Sequence, residues 1–65
     1  MENEWTYYIV TWYEFKGTGT IRFWKANKTK AYSLSEAFEI KEAKEIITEH
    51  KAEIKKITEI TEVIV

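Results

Sequence analysis

The side chains able to do chemistry in this 65-residue chain are one histidine, His50, two serines, Ser33 and Ser35, and eleven glutamates; there is no cysteine and no aspartate. No aspartate exists to orient His50 in a nucleophile relay, and no thiol exists to attack. Ser33 and Ser35 stand just ahead of a helical apolar pattern, where a hydroxyl caps backbone N–H groups. His50 falls near the end of the same pattern, where a partial positive charge suits the helix dipole. The glutamates recur at helical spacing among lysines, the pattern of a solvated face. "GTG" at residues 17–19 is a hairpin turn signal rather than a phosphate cradle, because no helix start follows it. The expectation is a non-enzymatic protein without catalytic residues, metal or cofactor.

Aromatic side chains supply the remaining chemistry: three Trp, four Tyr and three Phe give 15% aromatic content. Rings of this kind bury large areas at interfaces, and they also stack on bases. Charge is segregated along the chain. Five bases and no acid lie between Lys16 and Lys30, whereas eight glutamates oppose five lysines between Glu36 and Glu62. The net charge of −1 argues against a dedicated nucleic-acid domain, yet Tyr8, Trp12 and Trp24 with Arg22, Lys25, Lys28 and Lys30 suit single-strand or nucleotide binding.

These residues need elements to place them. Trp5–Phe15 and Thr20–Ala26 are aromatic and β-branched, with "KGTG" between them supplying both glycines, and so predict a β-hairpin. "NKTKAYS" reads as a loop. "SLSEAFEIKEAKEIITEH" reads as a helix capped at Ser33 or Ser35, with Ser33 and Glu36 at capping-box spacing and Ala37, Ile40, Ala43 and Ile47 as its apolar stripe. Phe38 lies across the wheel from that stripe, either folded back on Leu34 or free for a partner. "IKKITEITEVIV" reads as a third strand, with a helical extension through Ile54, Ile57 and Ile60 as the alternative. The order ββαβ makes one domain over residues 1–65, an α+β fold. Its three-stranded antiparallel sheet has order 2-1-3, with one helix on one face.

One helix covers one face, but both parities of "YYIVTWYEF" are apolar. A three-residue loop Gly17-Thr18-Gly19, with Gly19 left-handed in a bulge, pairs Glu14 with Arg22, Trp12 with Trp24, Tyr13 with Phe23 and Phe15 with Ile21. That register leaves Tyr8, Val10, Trp12, Arg22, Trp24 and Lys25 on the face away from the helix, as the expected partner-binding residues. A loop of two or four residues would reverse the parity, turning Tyr8, Val10 and Trp12 inward and exposing Tyr13 and Phe15.

A chain this short buries only about 60% of its unfolded surface, so a covering partner would stabilise it. The expected partner is a protein or a second copy forming a homodimer, bound through the aromatic face. Single-stranded nucleic acid or nucleotide on the same face, and a structural role in a larger particle, are the alternatives. No membrane contact is expected. "MENEW" lacks the basic and apolar regions of a secretion signal, so the expected location is the cytoplasm.

In its small size, its Lys/Ile/Glu/Thr-rich composition and the segments "YYIVTWYEFKGTGTIRF", "SLSEAFEI" and "IKKITEITEVI", the chain resembles small accessory proteins encoded by phages and prophages of Gram-positive bacteria. That resemblance implies binding to, and inhibition of, a host or anti-phage defence component in the host cytoplasm, and implies no residue roles.

Overall fold

The computed structural model describes residues 2–64, with side chains from Glu4 to Ile64. Strand β1 spans Glu2–Thr18 and β2 spans Ile21–Ala31; helix α1 spans Leu34–Thr48 and β3 spans Glu53–Glu62. The sheet is antiparallel in the order β2-β1-β3 with the helix packed on it, an α+β fold. Its element order and strand order are those read from the sequence. No helix among the described residues is long and apolar enough to cross a membrane.

Both hairpin strands run further than their apolar segments suggested. "NKTKA" is strand rather than loop, because Asn27, Thr29 and Ala31 alternate toward the interior while Lys28 and Lys30 point to water. The third strand begins at Glu53, which removes the helical extension. Ser33 caps the helix as its spacing implied: its Oγ accepts from the Glu36 N–H at 3.1 Å, and Glu36 Oε2 accepts from the Tyr32 N–H. The helix ends where Glu49 turns left-handed at φ 55°, its N–H donating to the Glu45 carbonyl.

The strands are staggered. β2 pairs with residues 8–18 of β1 and β3 with residues 2–11, so only Tyr8–Thr11 has neighbours on both sides. The core sits on this short overlap: Val10, Ala31 and Ala37 are fully buried, with Tyr8, Trp12, Ile40 and Ile54 packed around them. Helix length limits that core. Fifteen residues of helix span about 22 Å, whereas the molecule is 57 Å long. The radius of gyration is 16.1 Å, against about 11 Å for a compact chain of this length. Likewise the accessible surface is 5449 Å², where a compact monomer of this mass would expose about 4,400 Å².

Candidate functional site

The turn decides which residues form the site. Thr18 pairs with Ile21, so the loop is the two residues Gly19-Thr20 rather than a three-residue bulged loop. Gly19 is left-handed at φ 62° and Thr20 has no positive φ, the pattern of a type II′ turn, whose twist matches that of the flanking strands. Glu14 then faces Lys25, Trp12 faces Asn27, Tyr13 faces Ala26 and Phe15 faces Trp24. This replaces the pairs of Glu14 with Arg22 and Trp12 with Trp24 expected from the longer loop, and it reverses the parity of β1.

The expected binding residues are therefore split between faces. Tyr8, Val10 and Trp12 lie on the helix side, Val10 fully buried and the other two packed against the core, while Lys25 lies on that side opposite Glu14. Arg22 and Trp24 remain on the side away from the helix, the open face. They are joined there by Trp5, Tyr7, Ile9, Tyr13 and Phe15 of β1, and by Lys28, Lys30, Lys55 and Ile57. The signal that identifies this set is the Gly-X turn; strand hydrophobicity alone could not, since both parities are apolar.

On the open face Trp5, Phe15 and Trp24 are 65%, 55% and 53% exposed. Phe15 and Trp24 are in contact across the ladder, with centroids 5.2 Å apart. His50, released by the left-handed turn at Glu49, lies 4.8 Å from the Trp24 ring at a shallow tilt and meets Tyr13 edge-on at 5.9 Å. These rings form one cluster at the hairpin end. Toward the other end Lys30 Nζ sits 4.5 Å from the Tyr7 ring centre, and the Tyr7 hydroxyl donates to Glu59 Oε1 at 2.6 Å. That hydrogen bond to a carboxylate holds the phenol above its ordinary pKa. The face carries Arg22, Lys28, Lys30 and Lys55 against Glu53 and Glu59, whereas five glutamates from Glu36 to Glu49 belong to the helix and its cap.

On the helix side Glu14 accepts from Lys16 Nζ at 3.0 Å and from Trp12 Nε1 at 3.2 Å, and the two bonds, the lysine's first, depress its pKa. Lys44 Nζ stands 4.6 Å from the centre of the Trp12 ring. Leu34 and Phe38 line a groove of about 370 Å³ with Tyr8, Ile54 and Lys56, so Phe38 shares its surroundings with Leu34. Among the described residues no three His or Glu side chains gather as a metal site. The open face offers stacking surfaces, a cation–π contact and hydrogen-bond donors on one side of the sheet, a chemistry of recognition. No protein-family model matches the chain, and neither curated proteins nor solved structures yield a match.

Proposed function

We propose that the chain is a non-enzymatic binding protein that engages a partner protein through the open face and acts by occluding the surface it covers. The observation that carries this reading is the row of uncovered rings, Trp5, Phe15 and Trp24, each more than half exposed beside Arg22. Trp, Tyr and Arg are the residue types that concentrate binding energy, and several large exposed rings on one sheet face are uncommon on a protein that works alone. Binding to a host or defence component is also what the phage-protein resemblance implies. The test is affinity capture with the tagged chain beside a Trp5→Ala, Trp24→Ala variant of unchanged circular dichroism. A protein retained by the first and lost by the second supports the proposal; identical recovery from both removes it.

The charge segregation favours a second reading, single-stranded nucleic acid on the same face, with bases stacked on the rings and phosphates along Arg22, Lys28 and Lys30. Titration with short oligonucleotides separates the two. Phosphate contacts make affinity fall steeply with salt, and no binding at low salt eliminates this reading.

A further inference from the structure

The helix stands on the sheet by one side only. Ala37 is buried and marks the side facing the sheet, while Leu34 and Phe38 lean toward β3, lining a groove with Ile54 and Lys56. Glu45, on that same flank, accepts from the Ala52 N–H at 2.8 Å. Helical geometry then puts Ile40, Ala43 and Ile47 on the opposite flank, toward β2, and Ile46 on top. Ile40 is half-buried and Ala43 exposed, while Ile47 and Ile46 are 73% and 77% exposed. Below that flank, on the helix side of β2, Phe23 and Ile21 are also uncovered. Ile47 lines a groove with Glu14, Phe15, Lys16 and Thr48, so helix wall and sheet floor make an open corner, apolar along the helix and at Phe23 and Ile21, with charged groups between.

We propose that a second copy of the chain fills it, helix against helix about a two-fold axis beside Ala43, so that two sheets enclose a layer of two helices. The spacing of Ile40, Ala43 and Ile47 is that of a helix–helix seam; sheets on opposite sides of the layer require the axis to run along the helices, so these are parallel, the small central residue lets them approach, and each isoleucine meets its own counterpart across the axis. Ile46, on the side of the helix away from its own sheet, is covered by the second sheet. Charge agrees with this arrangement. The outer helix surface carries Glu39 and Glu42 beside Ile46, and the uncovered floor carries Lys16 and Lys25 around Glu14, a net positive charge. Area is compatible as well: the chain as a whole exposes about 1,000 Å² more than a compact monomer of its mass, and a pair of standard size buries about 800 Å² per partner. The open faces stay outside the pair, so this surface is independent of the proposed binding site.

Sedimentation equilibrium of the full chain at several concentrations should give twice the chain mass of 7.8 kDa, and Ile47→Glu should weaken pairing at least about 100-fold. Because the chain has no cysteine, Ala43→Cys supplies a single thiol beside the axis, where Cα atoms about 4.4–6.8 Å apart allow a disulfide on mild oxidation. Ala26→Cys on the open face should remain uncross-linked. A monomer at every concentration, a dimer untouched by Ile47→Glu, or cross-linking through Cys at 26 instead of 43 would each overturn the proposal.

Discussion

Replacing Gly17 by alanine tests the hairpin register, on which the composition of the open face depends. Gly17 sits opposite Arg22 at φ 146°, and an added Cβ would lie 2.0 Å from the Ile21 carbonyl oxygen and 2.7 Å from the Arg22 Cα. Both obstacles are backbone, so no side-chain rotation relieves them. The strands must part at the tip, losing two or three ladder hydrogen bonds at about 1 kcal/mol each and adding about 1–2 kcal/mol of backbone strain. The expected cost is about 3–5 kcal/mol, in a chain whose total stability should be about 3–10 kcal/mol. Gly19 provides the internal comparison. It is left-handed at φ 62°, and a Cβ added there would meet nothing within 4 Å, so Gly19→Ala carries only the conformational penalty of about 1–2 kcal/mol. Urea unfolding followed by tryptophan fluorescence, at one fixed protein concentration, should show the midpoint falling by about 1 M for Gly19→Ala and about 3 M or more for Gly17→Ala, given a slope near 1 kcal/mol/M. Gly17→Ala within about 0.5 kcal/mol of the parent chain would refute the two-residue turn and the parity built on it.

The same parity separates two further substitutions. Val10→Ala removes two buried methyl groups from the centre of the core and should cost about 2–3 kcal/mol in urea unfolding, whereas Trp24→Ala on the open face should cost about 1 kcal/mol or less; the reverse ranking would place the helix on the wrong side. Glu45 gives a pH signature. Lys41 at 2.9 Å and then the Ala52 N–H hold its pKa below the usual carboxylate range. Its contribution is therefore present above the ordinary glutamate pKa of about 4.3 and is lost as pH falls through the lower folded value. Glu45→Gln should lower the melting temperature at pH 7, with the gap closing as the pH falls below the folded value, and a gap unchanged across the acid range would contradict the pairing.

The sequence carried much of this fold in local signals. The Ser33 to Glu36 spacing marked the helix start, the two glycines marked the hairpin, and β-branched residues after Ile54 marked the last strand. Parity was another matter. Strand β1 is apolar on both sides, so the face its residues occupy is set by turn length, and one residue more or less in the loop interchanges Trp12 with Tyr13. Arg22 and Trp24 kept their side because β2 does alternate in a way that sets its two faces apart. Tyr8, Val10 and Trp12 did not, because the glycine pair admits both a bulged loop and a type II′ turn. The apolar stripe on the helix was legible as Ala37, Ile40, Ala43 and Ile47, but not that only its first half meets the sheet, which follows from where the helix rests rather than from its periodicity.

The stagger of the strands carries a dynamic consequence. Backbone amides of Tyr8–Thr11, held by neighbours on both flanks and lying over Val10, open only when the whole chain unfolds, so they should exchange with deuterium most slowly. The two ends of the long strand each belong to a ribbon of two strands, and a ribbon of that kind has little cooperativity of its own. Protection should therefore fade in both directions from this four-residue overlap, leaving the hairpin tip with Phe15 and Trp24 free to adjust to whatever it meets while the centre keeps its shape.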